Sequence, residues 1–248
     1  MKPLILFSAA LFTFSFCNRP KSSKEKPGIV YVKPPKNGNS VTKYPSGEIC
    51  SIIPYHNGER NGKATTYHRN GEVNFVINYK DGKKEGLATW FYSTGSMYQT
   101  REYKNDQMHG WRNDYTPSGK HIMEIPYEND RVMPGGREFT LKGELRPHPE
   151  IITETQNTIF ANGAFTYLFK LSEAVSRVDF YLDYTNENTP RYWTFEQLQK
   201  VDRKKGQYII HLMPGQLITQ KIHVFAHFKR SNGYEGIIKK TVNVALSY

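Results

Sequence analysis

The chain has 248 residues, 34 of them Lys or Arg and 23 Asp or Glu, so its formal net charge is +11. This surplus favours contact with anionic surfaces such as lipid head groups or surface polymers, although a soluble basic surface explains it equally well. The 17 Tyr and 14 Phe residues suit short strands and turns better than helices, and the length accommodates one large or two ordinary domains.

The first 17 residues, MKPLILFSAALFTFSFC, predict a targeting segment. Lys2 supplies a positive start, and the apolar run that ends at Phe16 is too short to cross a bilayer. The segment resembles a bacterial lipoprotein signal peptide, which implies that Cys17 carries a lipid. Phe16 departs from the small residue usual before that cysteine, so an ordinary secretory signal cleaved nearby is the alternative. We expect an exported protein of the bacterial envelope, an outer-membrane or periplasmic lipoprotein held to the membrane by its N-terminal lipid.

Residues 18–27 are polar and rich in Pro, Ser and Lys, which predicts a disordered tether. The second cysteine, Cys50, then has no partner within the chain. We therefore expect a lone, partly buried thiol at Cys50 rather than a structural disulfide.

A strict 24-residue period follows the tether. Two glycine series and one tyrosine series keep it: Gly47, Gly71, Gly95, Gly119 and Gly143; Gly38, Gly62, Gly86 and Gly110; Tyr31, Tyr55, Tyr79, Tyr103 and Tyr127. Several series with one period indicate a repeat architecture. We place the repeat array at residues 28–146, with half-units at both ends.

Each unit contains two turn signals separated by runs of seven or eight residues, which predicts one β-hairpin per unit and a long antiparallel sheet. Period-2 alternation predicts that one face of this sheet is apolar. The predicted face consists of Ile49, Ile53, Tyr55, Val73, Phe75, Ile77, Tyr79 and Met97. Gln99 and Arg101 interrupt it, and the alternation leaves open whether Trp90 and Tyr92, or Leu87 and Phe91, join it.

The units resemble the MORN repeat, and more closely its variant MORN-2, found in proteins often labelled YwqK-like antitoxins. The matching residues are Tyr79 and Gly82, the loop-closing Gly86, and the step from Tyr67 to Gly71. The resemblance implies a hairpin-repeat sheet and no shared chemistry. It also brings two alternatives: phospholipid binding, suggested for eukaryotic MORN proteins, and an antitoxin-like partnership with a toxin.

After Arg146-Pro-His-Pro149 the period is lost but the β character continues, so we expect a second domain at residues 147–248. Strands are predicted near residues 151–155, 158–171, 176–184, 207–213, 220–229 and 236–247. This number of strands predicts a small immunoglobulin-like β-sandwich, and hence an all-β fold for the chain. The segment at 195–205 is predicted as a short helix or a crossing loop.

No motif for catalysis, nucleotide binding or metal binding occurs in the sequence, so we expect no enzyme, cofactor or metal. His223 and His227 would lie about 13 Å apart on one strand face, too far apart to share an ion, and with His211 they are interpreted as solvent-exposed. Glu48, Glu72 and Glu144 are spaced along an open sheet, which offers no cleft for a carboxylate pair.

The sequence thus predicts a binding protein whose partner is another protein or an anionic surface, with no nucleic acid expected. The candidate contact residues on the repeat face are Tyr55, Phe75, Tyr79, Trp90, Tyr92 and Tyr103. The oligomeric state stays open.

Overall fold

The computed structural model describes residues 33–183, 196–202 and 204–248. The predicted signal segment (1–17) and tether (18–27) lie outside these residues. The described part is almost entirely β-structure, with one helical turn, α1 (Ile159–Asn162). The expected all-β class with antiparallel hairpin-repeat architecture is confirmed.

The first part of the chain forms one antiparallel sheet of thirteen strands. Its strands are β1 (Gly38–Lys43), β2 (Ile49–His56), β3 (Glu59–Arg60), β4 (Gly62–Tyr67), β5 (Val73–Lys80), β6 (Lys83–Lys84), β7 (Gly86–Phe91), β8 (Met97–Lys104), β9 (Gln107–Tyr115), β10 (His121–Glu128), β11 (Arg131–Val132), β12 (Arg137–Phe139) and β13 (Leu145–Arg146). Neighbours along the chain are mostly neighbours in the sheet, so the array is a meander.

Tight turns follow the tyrosines of the 24-residue series from Tyr55 to Tyr127, as between Tyr55 and Gly62. Asn57 and Gly58 both have positive φ, 52° and 85°, as a type I′ hairpin turn requires. The equivalent pairs Asp81–Gly82, Asn105–Asp106 and Asn129–Asp130 share this conformation. After the first, second and fourth of these turns the chain pairs back for two residues, forming β3, β6 and β11. The segment that follows each of these tyrosines is therefore mostly turn and strand.

A β-bulge in each repeat changes which residues share a face. The register shifts between Thr66 and Tyr67 on one strand, so that Val73 pairs with Tyr67 while Phe75 pairs with Thr66. The same shift occurs in the units before and after. Because a bulge adds one residue to one strand, Ile49, Val73 and Met97 point away from Phe75 and its equivalents. Their predicted placement on the apolar face is wrong.

Hydrogen bonds connect successive repeats at both edges of the strands. On the type I′ side, Gly82 N donates to Arg60 O and Asp106 N to Lys84 O. On the other side, the Tyr44 hydroxyl donates to Tyr67 O at 2.6 Å, and equivalent side chains follow 24 and 48 residues later. Each repeat is thus fixed to the next by its turns as well as by its strands.

The second part of the chain is a sandwich of two four-stranded sheets. Its strands are β14 (Ile151–Thr158), β15 (Ala164–Leu171), β16 (Arg177–Asp183), β17 (Glu196–Gln197), β18 (Gln199–Asp202), β19 (Lys205–His211), β20 (Leu217–Lys229) and β21 (Glu235–Ser247). The sheet orders are β14-β15-β19-β18 and β17-β16-β20-β21. In immunoglobulin lettering these are A-B-E-D and C′-C-F-G, which agrees with the predicted fold.

Two local predictions in this domain are wrong. The segment at 195–205 contains the edge strands β17 and β18 where a helix or crossing loop was expected. The strand predicted at 158–171 is interrupted by α1, because Gly163 has a φ of 70° and turns the chain into β15.

One hydrophobic core joins the end of the repeat sheet to the sandwich. Met123, Ile125, Tyr127 and Val132 of the array belong to the same buried cluster as the sandwich interior. Tyr234, in the turn between β20 and β21, is fully buried. Its hydroxyl packs closely on Gly136 of the array: a Cβ atom added to this glycine would lie 3.2 Å from the Tyr234 hydroxyl. The sandwich therefore covers the last repeats, which a single-layer sheet could not bury alone.

A buried ion-pair cluster lies beside this contact. Glu138 of β12 accepts hydrogen bonds from Arg230 and from Asn232. The Arg230 side chain is almost completely buried, and it also donates to Glu173 and to Pro147 O. Arg146 contacts the same carboxylate from the solvent side, at 3.1 Å. We call Glu138, Arg230 and Asn232 the interdomain cluster.

Candidate binding surface

The structure brings five of the six candidate contact aromatics to one face of the repeat sheet. Phe75, Tyr79 and Tyr103 are buried there, and the Trp90 ring lies 6.3 Å from that of Phe75. Tyr55 is half-buried on the same face, next to Arg60 in the ladder. We call this side, with Ala64, Ile77 and Ala88, the buried face. Three of the candidates are thus core residues, while their part in binding stays a prediction.

Cations fill the gaps between the tyrosines of the buried face. The Arg60 guanidinium lies 5.2 Å from the Tyr79 ring and donates to its hydroxyl at 3.3 Å. One repeat later, Lys84 Nζ lies 4.9 Å from the Tyr103 ring. Burial raises the pKa of Tyr79, so its phenol stays neutral and the cations stabilise the ring through its π face. Lys84 thus has a structural role beside the Tyr103 ring.

Gln99 and Arg101, which interrupt the apolar pattern, belong to a polar bridge. Gln99 Nε2 donates to Asp114 Oδ1 at 2.7 Å, and Arg112 donates to the other Asp114 oxygen at 2.6 Å. Arg101 Nε donates to Gln99 Oε1 and its guanidinium lies 4.9 Å from the Trp90 ring. Burial alone would lower the pKa of Arg112, but Asp114 outweighs it and raises that pKa. The polar side chains that interrupt the apolar pattern are thus paired with one another.

Tyr92 does not lie on the buried face. It is in the tight turn after β7, where its hydroxyl donates to Tyr115 O at 2.9 Å and its ring meets Tyr98 edge to face at 5.1 Å. Its position matches Tyr44 and His68, 48 and 24 residues earlier, which make the equivalent bond. The sequence signal for this role in connecting repeats was a side chain able to donate a hydrogen bond at the same position of each 24-residue unit.

The opposite side of the sheet is the exposed face. Its most exposed large apolar side chains in the central units include Leu87 (49% exposed) and Trp111 (39%), which occupy equivalent positions one repeat apart. Met97 belongs to the same face because of the bulge, and Tyr98 is exposed beside it. Equivalent residues in a hairpin ladder lie two strands apart, about 9.6 Å. The sequence pattern missed this surface because the alternation changes at each bulge.

The histidines and repeated glutamates form no site in the described part of the chain. His211 is exposed, His223 contacts the Thr241 hydroxyl at 2.9 Å, and His227 lies 3.4 Å from Glu235. The hydrogen bond from His227, with Lys229 nearby, lowers the pKa of Glu235 to about 2. Within that part, no group of three or more His, Cys, Asp or Glu side chains could hold a metal ion. Glu48, Glu72 and Glu144 are exposed.

Cys50 is buried, with 2% of its surface exposed, and it is disulfide-bonded. The prediction of a lone thiol is therefore wrong. The residues around Cys50 gave no signal for a disulfide. Cys17, the other cysteine of the chain, lies outside the described residues.

The comparisons with known proteins agree with the repeat geometry. The family model of the MORN repeat variant, MORN_2, matches residues 60–81 and 84–105, two successive units of the sheet. MORN-type repeats suggest a general role in binding membranes or proteins. A comparison with curated protein sequences finds no match. Among the described residues, no helix has the length and apolar character needed to cross a membrane.

Proposed function

We propose that this protein is a non-enzymatic binding protein of a bacterial envelope that contacts another protein or a surface polymer through the exposed face. The observation that carries the proposal is the pair Leu87 and Trp111, large apolar side chains left exposed at equivalent positions of successive repeats. Apolar groups on a broad, regular sheet suit contact with an extended partner better than capture of a small molecule. The buried face, by contrast, serves the fold.

The exposed face is tested with the double variant Leu87→Ser/Trp111→Ser. We expect the variant to capture at least about tenfold less partner from envelope extract than the wild-type protein captures. The reason is that each side chain supplies about 1.5–3 kcal/mol of binding free energy when it is fully covered. Quantitative mass spectrometry and glycan analysis of the retained material measure the change.

A matched control is Val201→Ser/Ile209→Ser in the sandwich, whose two side chains are 52% and 40% exposed. This control removes a similar amount of exposed apolar surface away from the repeats, and we expect it to capture as the wild type does. Equal capture by both double variants, with similar unfolding midpoints, rules out the exposed face as the contact.

Export is supported by the N-terminal segment, which ends at Cys17 like a lipoprotein signal. The disulfide of Cys50 also fits an oxidising compartment. Since the chain has two cysteines, a lipid on Cys17 and a disulfide within the chain exclude each other in one molecule, so the two features support export of two alternative forms. We propose that the mature protein is the lipid-anchored form, acylated at Cys17, and that the disulfide within the chain forms only where Cys17 is not acylated.

Metabolic labelling with a clickable fatty acid distinguishes the form acylated at Cys17 from the disulfide-bonded form. We expect label on the wild-type protein and at least about a tenfold loss in Cys17→Ala, because a thioether needs the cysteine sulfur. Cys50→Ala is the control and should keep the label. An unlabelled wild-type protein whose two thiols react with maleimide only after reduction removes the anchor and leaves a secreted, disulfide-bonded form.

Phospholipid binding by the repeat array is the alternative, and the net charge of +11 favours it. It requires vesicle binding that weakens with salt, because the attraction between exposed lysines and anionic head groups is screened. An antitoxin role ranks below both, since a cytoplasmic toxin does not meet an exported protein.

A further inference from the structure

A second exposed apolar cluster lies on the sandwich. Phe160 of α1 is 87% exposed, and Met213 and Leu217, in and after the loop between β19 and β20, are 70% and 73% exposed. The Phe160 ring stacks on that of Tyr248, with centroids 6.0 Å apart. These four residues, which we call the apolar tip, come from three separate segments of the chain. Surface apolar groups gathered in this way mark an interaction site.

The apolar tip lies at the end of the sandwich that faces away from the repeat sheet. Strand β20 begins at the tip with Leu217 and ends at Lys229, directly before Arg230 of the interdomain cluster. Thirteen residues of strand span about 40 Å. The tip is therefore remote from the contact between the domains.

The backbone of the apolar tip is hydrogen-bonded internally. Leu212 N donates to Gly163 O at 2.8 Å, which joins the two loops, and Gly163 N donates to Ile159 O at 2.7 Å. Tyr248 N donates to Gln216 O at 3.0 Å, and Gly215 N donates to Tyr248 O at 3.1 Å. Peptide groups satisfied in this way can leave water at low cost, which entry into a lipid phase requires.

The charge around the tip also favours a membrane. The segments 156–163, 211–221 and 243–248 contain no Asp or Glu, while His211 and Lys221 are exposed. A stable protein–protein contact covers about 800 Å² on each partner, more than the few exposed side chains of the tip supply. A bilayer surface instead accepts a few apolar side chains and attracts cations through its anionic lipids.

We propose that the apolar tip inserts into the interfacial region of a phospholipid bilayer. Phe160, Met213 and Leu217 enter the boundary between head groups and acyl chains, and the Tyr248 ring lies at head-group level, where aromatic residues are favoured. This contact is independent of a lipid on Cys17 and of any partner on the exposed face. Because it is apolar, it persists at high salt, unlike binding through the basic charge of the array.

The test places a fluorescent reporter at the tip of the full chain. The three native tryptophans of the wild-type chain give the background signal, which is subtracted. We expect the indole added by Phe160→Trp to be quenched by phosphatidylcholine–phosphatidylglycerol vesicles whose acyl chains are brominated near the carbonyl end. An Ile209→Trp variant reports from the exposed side of β19 as the matched position. The N-terminal segment brings both variants to the vesicle equally, so only local insertion distinguishes them.

Two further changes in the Phe160→Trp chain complete the test. Met213→Ser/Leu217→Ser should lower the quenching at least about threefold, because most of the inserting apolar surface is lost, while Val201→Ser leaves it unchanged. Equal quenching at positions 160 and 209 overturns the proposal. Shielding of the indole from water that depends on protein concentration and needs no vesicles also overturns the proposal. A second copy of the chain would then cover the tip.

Discussion

Replacement of Arg230 by methionine is expected to destabilise the protein by about 3–5 kcal/mol, because the Glu138 carboxylate would remain buried without its main cation. Both side chains are only 4% exposed, and Arg230 also donates to Glu173 and to Pro147 O. Urea unfolding followed by circular dichroism measures the change in the free energy of unfolding.

Arg146→Met is the matched control, since Arg146 contacts the same carboxylate but is half-exposed. A pair in contact with water contributes little, so we expect a loss of about 1 kcal/mol or less. Adding Glu138→Gln to Arg230→Met should recover part of the loss, because a buried amide costs less than a buried charge. If Arg230→Met costs no more than Arg146→Met, the interdomain cluster does not stabilise the contact between the domains.

Ile125→Ala is expected to cost about 2–5 kcal/mol, the range for a buried isoleucine whose cavity closes incompletely. Ile125 is fully buried in the core that the last repeats share with the sandwich. The same unfolding measurement detects the loss, and the slope with urea should stay unchanged because the folded architecture is kept.

The repeat supplies its own control for this prediction. Ile53 occupies the equivalent position 72 residues earlier, near the other end of the sheet, where it is half-buried. We expect Ile53→Ala to cost roughly 1 kcal/mol, in proportion to the smaller area withdrawn from water. Similar losses at the two positions would show that the sandwich does not contribute to burying the end of the array.

The repeat architecture was predictable because the turn residues carry strong backbone constraints. The positive φ values at Asn57 and Gly58 suit few residue types, so their recurrence every 24 residues is visible in the sequence. The sandwich strands were predictable for a related reason: apolar and polar residues alternate along β16 and β20, and the apolar side packs in the sandwich core. The alternation did not reveal that Asp179 and Asp183, on the other side of β16, are buried as well.

The bulges and the interdomain contact were not predictable from the same patterns. A bulge leaves no composition signal, yet it moves Met97 to the side opposite Phe75, and so the exposed face was missed. The pairing of Glu138 with Arg230 joins residues 92 positions apart and depends on how the domains meet. The cations over the rings of Tyr79 and Tyr103, Arg60 and Lys84, likewise come from neighbouring turns, and alternation alone does not reveal them.

Because the same hydrogen bonds connect successive turns, the length of the array depends only on its number of units. Each 24-residue unit contacts its neighbours through the same set of turn and strand hydrogen bonds, and it advances the sheet by two strands, about 9.6 Å. Removal or duplication of a whole unit would therefore change the reach between the start of the sheet and the sandwich by a fixed step while preserving every type of junction. The number of hairpins thus sets the distance between the two ends of the array in steps of one unit.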